Sequence, residues 1–459
     1  MKAEAGKIGG RIEAKLGTFD TAMVVVSLVV GIGIFRTPAI VAREAGTPRL
    51  FLLAWGIGGL VSLVGALTFA EIGSVHPRAG GYYRVVADCY HPALAFMLNW
   101  AQTLMQGAGA AGVAFIGAEY LVGLLLPPER RGRDAVLLVA LVLMLVLLLL
   151  NALGIRIGAE TQNVLSMLKI AMIVGLAAAA LALAPKAIGA TTAAAPSIFA
   201  AGLSGLAAAL IPVFYTYGGY HMTMNLGADV KDAKRRFPLA VTAGMLTVVG
   251  LYLVLNFAYV RTLGAGGVAE SKLVAAALAR ASLGTAGETV VSALIFLSAA
   301  GFVNATVLQM PRSYYAMAED GVLPAIFRRV QPRTQVSMAG LLAFGVTMLV
   351  PAFLLGSFEK LVSYVIFTDM LTLVVVSSTL FVLRRRAEGG EAKVGAFRIP
   401  GPPVLPALYV LALAAVAAHV AFTEPRLALA GTAIFLTGWP LFLLGRKLSG
   451  SSIVGSGQP

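Results

Sequence analysis

Two glycine motifs interrupt hydrophobic runs of this sequence, at positions where backbone groups could bind a ligand. Gly31, Ile32 and Gly33 lie in the middle of the first run, and Gly218 and Gly219 lie in the sixth. An interrupted helix leaves free N–H groups at the start of its second half and free C=O groups at the end of its first half. Inside a membrane this is tolerated only around a binding site or a cavity. The motifs therefore indicate a secondary transporter.

The two motifs would expose different backbone groups. In the first run, the second helical half would present amides at a positive dipole end, which suits a carboxylate. In the sixth run, carbonyls could accept from an ammonium, so that together the motifs predict a site for a zwitterion. The amides are those of Gly31, Ile32, Gly33 and Ile34, and the carbonyls are those of Phe214, Tyr215, Thr216 and Gly218. The alternative is that these glycines only allow close helix packing, as the Gly-rich stretch 56–65 would.

Two charged side chains fall inside hydrophobic runs. Lys169 is near the middle of the fifth run, where a cation costs about 2.5 to 3.5 kcal/mol on insertion scales, so a functional role is favoured. Snorkelling to the membrane surface is disfavoured, because about ten residues at ~1.5 Å each separate Lys169 from the start of the run. Asp369, deep in the tenth run, could pair with a cationic side chain, titrate during transport, or be satisfied by a neighbour.

Uncharged polar residues in the same runs are further candidates to line a cavity. A lone polar residue in a membrane span more often hydrogen-bonds another helix, which is the alternative for each of them. The candidates for substrate binding are Gln106, Tyr220, His221 and Asn304, and Ser298 is a candidate for coupling.

The composition identifies the class of protein that contains these residues. The chain has 459 residues, of which 59% are hydrophobic and only 12% are charged, which is far too apolar for a soluble protein. The net charge of +14 is carried by short loops between apolar runs, so it indicates membrane topology and gives no sign of nucleic-acid binding. The single cysteine, Cys89, excludes an internal disulfide. We expect a polytopic membrane protein without a metal or another cofactor.

Apolar runs long enough to cross a membrane, about 20 residues each, number twelve. They cover residues 19–43, 48–74, 92–125, 135–153, 158–184, 199–227, 238–262, 287–318, 337–356, 359–385, 405–422 and 426–445. The fold class is therefore all-α. Because the two interrupted runs are five spans apart, the second set of five would be inverted relative to the first. We predict two inverted repeats, 19–184 and 199–385, followed by two more spans over 405–445.

The loops orient the chain. Alternate segments that begin with the N-terminus carry about twice as many Lys and Arg residues as the opposite loops, which favours a cytoplasmic N-terminus and, with twelve spans, a cytoplasmic C-terminus. The loop 127–134, with three arginines, opposes this assignment. The tails 1–18 and 446–459 would be cytoplasmic, in a bacterial inner membrane. Cys89 would then lie in a cytoplasmic loop, so no disulfide-linked extracellular subunit is expected.

Five stretches of the sequence resemble one known family in order and spacing. They are VVGIGIFRTPAIVA (29–42), FAEIGSVHPRAGGYYR (69–84), VFYTYGGYHMTMN (213–225), FVNATVLQMPRSYYAMAEDGVLP (302–324), and FVLRRR followed by FRIPGPP (381–403). Over about residues 19–405 the chain resembles the amino acid, polyamine and organocation transporter superfamily. Within it, the chain is most similar to the bacterial relatives of the L-type amino acid transporters.

The resemblance implies the leucine-transporter fold, with discontinuous helices 1 and 6 and an amino acid bound between their breaks. By position, the carbonyls of Val29, Tyr215 and Gly218 would hold the α-ammonium, and the amides of residues 31–34 would hold the carboxylate. Tyr215 would gate the site, with ordinary aromatic packing as its alternative. Ile32 departs from the Ser or Thr that the family commonly has there, so a hydroxyl contact to the carboxylate is lost while the backbone amide remains.

The stretch from Gln162 to Lys169 also resembles the family. In members with this pattern, the lysine ammonium lies against the first break, near span 8, and replaces the sodium ion of sodium-coupled relatives. Sodium dependence is therefore not expected, and a desolvated lysine could carry a proton.

The leading hypothesis is a sodium-independent amino acid transporter that works by alternating access, as a proton symporter or an exchanger. Neutral amino acids are favoured because the pocket candidates are mainly uncharged, whereas Asp369 leaves cationic amino acids and polyamines open. A second hypothesis is a non-transporting sensor or a channel on the same scaffold. A membrane enzyme is disfavoured, because the sequence has no HExxH, no GxSxG and no paired carboxylates within a span.

Overall fold

Helices occupy all of the predicted hydrophobic runs for which the computed structural model describes the chain, namely residues 12–184, 200–271, 273–354, 365–389, 397–399 and 404–448. Parts of the predicted tails (1–11 and 449–459), residue 199 of the sixth span, and residues 355–364 of spans nine and ten lie outside the described residues. In chain order, helices α1 to α15 are Thr18–Val29, Gly33–Ala45, Pro48–Val75, Gly81–Cys89, Pro92–Leu125, Arg133–Ala152, Ile155–Leu183, Ala200–Thr216, Ala233–Glu270, Val274–Leu283, Ala286–Glu319, Met338–Leu354, Val365–Glu388, Val404–Thr423 and Pro425–Leu448.

Eight of the described helices are long and apolar enough to cross a membrane, or up to nine when the bent pair α1 and α2 counts as one span. The chain is therefore a multi-pass, all-helical membrane protein. The count of twelve crossings stays a prediction.

The outer surface of the bundle is apolar, as contact with lipid requires. Helix α6 is apolar all round, and its residues Leu138 and Leu149 are 63% and 66% exposed. A helix of this kind is stable next to hydrocarbon and would aggregate in water. The face of α6 that turns inward buries Ala140, Met144 and Leu147 instead.

Local sequence determines where several helices begin. Pro48 and Pro92 start α3 and α5, where a missing backbone N–H costs nothing. The residue before each proline caps the helix: the Thr47 hydroxyl accepts from the Leu50 amide at 3.3 Å, and His91 Nδ1 accepts from the Ala93 amide at 3.1 Å. These residues determine where α3 and α5 begin, and the short helix α4 lies between the two along the chain.

The two interrupted runs pack against each other in opposite directions. Helix α1 contacts the 3₁₀ helix Tyr220–Asn225, which follows the second break, and α2 contacts α8, which precedes it. The first half of one interrupted run therefore meets the second half of the other. This antiparallel arrangement is the one that inverted repeats produce.

Three arginines form buried or half-buried ion pairs at the end of the bundle at which α4 lies, which we call the α4 end. Arg84 of α4 pairs with Glu319 and Asp320 at the end of α11. Arg312 binds Asp229 through two nitrogens at 2.6 and 2.8 Å, and Arg384 binds Glu71 of α3 at 2.7 and 2.8 Å. Paired, hydrogen-bonded charges of this kind are costly to separate, because each partner would be left buried alone.

The N-terminal segment also covers the α4 end. The amides of Lys15 and Leu16 both donate to the Asp229 carbonyl at 2.8 Å, and the Lys231 amide donates to the Leu16 carbonyl at 2.9 Å. The segment before the first interrupted run is thus hydrogen-bonded to the segment after the second. These hydrogen bonds therefore couple a movement of one interrupted run to the other at the α4 end.

Candidate substrate site at the two helix breaks

The first break begins where α1 ends at Val29. Residues 30–32 are not helical, α2 begins at Gly33, and the two helices are bent by 47°. The Gly31 amide donates to the Val29 carbonyl at 2.8 Å, whereas the amides of Gly33 and Ile34 belong to the first turn of α2, which has no intrahelical acceptors. A Cβ at Gly31 would meet nothing within 4 Å. The break therefore adjoins open space beside Gly31, within three residues of the Gly33 and Ile34 amides that were predicted to hold a carboxylate.

The second break follows α8, which ends at Thr216. The Gly218 amide donates to the Tyr215 carbonyl at 3.1 Å, and the 3₁₀ helix begins after Gly219. Gly219 has φ = 111°, a left-handed conformation that glycine adopts without strain. Any side chain here would collide with the Leu28 carbonyl of α1. Gly219 therefore allows the second break to touch the first.

The breaks also meet on their other sides. A Cβ at Gly33 would lie 3.1 Å from the Thr216 methyl group, so α2 starts directly against the end of α8. Tyr215, the predicted gate, is 39% exposed, and Phe214 is half-buried. Tyr215 is thus the most exposed of the aromatic residues at the second break.

A tyrosine that sequence reasoning missed connects the two breaks. The Tyr252 hydroxyl of α9 lies 3.0 Å from the Val29 carbonyl and 3.4 Å from the Thr216 carbonyl, and it can donate its proton to either. Its ring packs edge-on against Trp55, with ring centroids 5.8 Å apart. Tyr252 has no local sequence signal, because nothing near it distinguishes it from Tyr259 in the same apolar run and its partners are distant in sequence.

Lys169 lies against the first break. Its Nζ donates to the Val30 carbonyl at 2.6 Å, and the side chain is completely buried. A Cβ on Gly301 of α11 would lie 3.3 Å from Nζ and 3.0 Å from the Ser27 hydroxyl oxygen, so this glycine makes room for the ammonium. The charge is held by an unwound backbone carbonyl, as a buried cation requires. Ser298, one turn earlier on α11, is buried, and its hydroxyl has no partner among the described residues.

A buried polar chain runs from Lys169's helix, α7, to α6. The Ser27 and Ser166 hydroxyls are 2.8 Å apart, and Gln162 Nε2 donates to Ser166 at 3.0 Å. Asn304 Nδ2 donates to Gln162 Oε1 at 2.9 Å and lies 3.1 Å from the Gly158 carbonyl, while its oxygen accepts from Asn151 at 2.7 Å. Asn304 was predicted to bind substrate, and the structure places it within this chain, between α6, α7 and α11.

A second group of polar residues lies beyond the second break. Asp369 Oδ1 accepts from Gln102 Nε2 at 3.0 Å and is 3.9 Å from His221 Nε2. Gln106, the predicted candidate on α5, is half-buried and hydrogen-bonds no described residue through its side chain, so Gln102, one turn away, is the glutamine that reaches Asp369. The Tyr220 hydroxyl is 2.7 Å from that of Tyr409.

Taken together, the fold and the site define a membrane protein with two antiparallel interrupted helices and a buried lysine at their meeting point. Residues 16–444 match the model of the amino acid permease family. The chain belongs to this family, within the superfamily that the sequence motifs resemble, and membership implies the leucine-transporter fold.

The curated relatives are similar over nearly their whole length. The serine/threonine exchanger SteT of Bacillus subtilis is 26% identical over 94% of this chain and 96% of its own. The human large neutral amino acids transporter small subunit 2 is 25% identical over 96% and 82%, and the human cystine/glutamate transporter is 23% identical over 96% and 87%. The family and these relatives are amino acid transporters and not enzymes, which confirms the resemblance and removes the enzyme hypothesis.

Proposed function

We propose that this protein is a sodium-independent secondary transporter that carries amino acids across the cytoplasmic membrane by alternating access. The observation that carries the proposal is the bond from Lys169 Nζ to the Val30 carbonyl, at the point where the two interrupted helices meet. A fixed ammonium supplies the positive charge that a bound sodium ion would otherwise supply there. The orientation that goes with the proposal has both termini in the cytoplasm.

The substrate's main-chain groups would bind to the helix breaks. Its carboxylate would accept from the amides of Ile32, Gly33 and Ile34, because the Gly31 amide, which was also predicted to bind it, donates to the Val29 carbonyl. Its ammonium would donate to carbonyls of the second break, including that of Gly218. The Val29 and Thr216 carbonyls already accept from Tyr252, and the Tyr215 carbonyl accepts from Gly218. A carbonyl has two lone pairs, so an ammonium can still bind beside these donors. Ile32 contributes its amide and an apolar wall.

Alternating access would use the two repeats, 19–184 and 199–385, which rock about the shared breaks. The ion pairs at the α4 end hold that end closed, so they must separate for the site to open there. Tyr215, exposed at the second break, would cover the substrate. Neutral amino acids are the default substrates, and exchange and proton symport are both compatible with Lys169. Cationic amino acids or polyamines are the alternative, which Asp369 favours.

Counterflow in sodium-free proteoliposomes tests the proposal. Vesicles loaded with a mixed amino acid pool are offered single radiolabelled amino acids, with Lys169→Ala beside the parent and Lys234→Ala, an exposed lysine, as the matched control. We expect the parent and Lys234→Ala to accumulate a few amino acids without sodium, and Lys169→Ala to lose this. Uptake that needs sodium would overturn sodium independence, and saturable binding without accumulation would favour a sensor or a channel.

A further inference from the structure

The polar group beyond the second break contains buried atoms that the protein leaves without partners. Neither ring nitrogen of His221 has a hydrogen-bond partner within the described part of the chain, and the same holds for Gln102 Oε1 and the Tyr82 hydroxyl. His221 and Gln102 are each 2% exposed, and Tyr82 is 1% exposed. A buried polar atom without a partner is costly, so such a cluster calls for an explanation.

These atoms converge from four separate elements. Tyr82 is on α4, Gln102 on α5, His221 on the 3₁₀ helix and Asp369 on α13. The His221 ring is 5.6 Å from the Tyr82 ring, and Gln102 and His221 both approach the same Asp369 oxygen, at 3.0 and 3.9 Å. We call these four residues the polar chamber. Because no single helix supplies them, the chamber is a product of the tertiary fold.

The chamber lies next to the second helix break. Gly219 packs against the Leu28 carbonyl near the end of α1. His221 is two residues after Gly219, so the Cα atoms of Gly219 and His221 are at most about 7 Å apart. The Asp369 side chain keeps 17% of its surface exposed, so the chamber is open on one side. The chamber therefore adjoins the second break, where the proposed function places the main-chain groups of an amino acid.

The unpartnered atoms demand both donors and acceptors. Gln102 Oε1 and one nitrogen of a neutral His221 need a donor, whereas the other His221 nitrogen and the Tyr82 hydroxyl need an acceptor. The Asp369 carboxylate adds a further acceptor. A hydroxyl or a carboxamide side chain offers both. An ammonium or guanidinium offers donors only, and a hydrocarbon side chain offers neither.

We propose that the polar chamber is the subsite that selects the substrate's side chain, and that it takes a short uncharged side chain with a hydroxyl or a carboxamide group. The proposal rests on the proposed function, since it names the substrate class of the same site. Gln102 and Asp369 hold the side chain's donor, and His221 and Tyr82 complete its hydrogen bonds. A site built in this way rejects an isostere that lacks the polar group, because its own buried atoms then stay unpaired.

The parent protein provides the first test, which needs no variant. Threonine and valine have nearly the same shape and differ by a hydroxyl in place of a methyl group. In sodium-free proteoliposomes we measure how strongly each inhibits counterflow, and asparagine and leucine form a second pair. We expect threonine and asparagine to inhibit at least about tenfold more strongly than valine and leucine. Equal inhibition within each pair would overturn the proposal, since water alone would then satisfy the chamber.

Variants then test which residues make the selection. His221→Phe keeps the ring packing and removes both nitrogens, Gln102→Leu removes the amide, and His419→Phe changes an exposed histidine as the control. We expect the threonine-to-valine ratio to fall toward one in the first two variants and to stay at the parent value in the third. An unchanged ratio in His221→Phe and Gln102→Leu would contradict the assignment.

Two further outcomes distinguish a failure of this inference from a failure of the proposed function. If lysine or arginine inhibits more strongly than threonine, the chamber binds a cation and the proposed side-chain class is wrong, although amino acid transport stands. If no amino acid undergoes counterflow at all, the proposed function is wrong, and this inference, which rests on it, is wrong as well. Should a variant not fold, the parent's isostere comparison still decides the proposal.

Discussion

The Tyr252 hydroxyl lies 3.0 Å from the Val29 carbonyl and 3.4 Å from the Thr216 carbonyl, so one side chain of α9 is within hydrogen-bonding distance of both interrupted helices at their breaks. Val30, the next residue, gives its carbonyl to Lys169. Two successive carbonyls of the first break are thus held by donors from α9 and α7. The unwound backbone has replaced its lost helical hydrogen bonds with side chains from other helices, which is what a break inside a membrane requires.

Tyr252→Phe should destabilise the protein and impair transport. The change removes the donor from buried carbonyls, which costs about 1 to 3 kcal/mol. We expect a lower Tm in detergent and a slower counterflow rate. Tyr259→Phe is the matched control, because Tyr259 is on the same helix, is equally buried, and has a hydroxyl without a described partner. If the two variants have the same Tm and counterflow rate, the Tyr252 hydroxyl contributes nothing specific to stability or transport.

Gly301→Ala should displace the lysine ammonium. The added methyl group would lie 3.3 Å from Lys169 Nζ and 3.0 Å from the Ser27 hydroxyl oxygen, which is tighter than ordinary contact. We expect counterflow to fall by roughly tenfold, as an error of about 1 Å in a site can cost more than this. Gly250→Ala is the control, since a Cβ on Gly250 meets nothing within 4 Å. Normal transport by Gly301→Ala would mean that the position of the ammonium is not critical.

Gly219→Ala should separate the two breaks. Its φ of 111° disfavours alanine, and the methyl group would collide with the Leu28 carbonyl. We expect loss of transport and a lower Tm. Gly284→Ala measures the cost of placing alanine at positive φ without a collision, because Gly284 has φ = 61° and a Cβ there meets nothing within 4 Å. Equal loss in both variants would show that backbone strain alone is responsible and that the contact with α1 is dispensable.

Arg84→Gln should open the α4 end. Arg84 ties α4 to Glu319 and Asp320 of the α11 terminus. The sole cysteine, Cys89, is buried at the end of the same helix, so its labelling by a maleimide in detergent reports on opening. We expect labelling to be several-fold faster than in the parent. Arg280→Gln breaks an exposed pair with Glu288 and should leave the rate unchanged. Equal labelling rates in the parent and both variants would contradict the idea that the Arg84 ion pairs hold the α4 end closed.

The pH dependence of Cys89 labelling follows from its burial. Burial raises the pKa of the Cys89 thiol from its usual value of 9.0 to about 11. Only the thiolate reacts, so its fraction in the folded protein grows about tenfold per pH unit and does not level off below pH 10. In the denatured protein the labelling rate should level off near pH 9. A plateau near pH 9 in the folded protein would show that Cys89 is accessible to water.

Four properties could be predicted from the sequence alone: the class of protein, the runs that form helices, the positions of the two breaks and the family. These properties are local: hydropathy marks a run that belongs in lipid, and a glycine pair marks a backbone that can leave the helix. Lys169 was identified in the same way, because a charge in an apolar run is expensive wherever the run lies. The number of crossings and the inverted repeats remain predictions, as apolar helices resemble one another.

The hydrogen-bond partners of these residues could be identified only from the three-dimensional structure. Tyr252 was not predicted, because its two carbonyl partners are 223 and 36 residues away in sequence. Gln106 and Gln102 look alike as glutamines of one helix, but one helical turn decides which of them reaches Asp369. Asn304 likewise joins the chain with Asn151 and Gln162. A hydrogen bond requires its two atoms to lie within about 3 Å, and helix packing alone determines which side chains come that close.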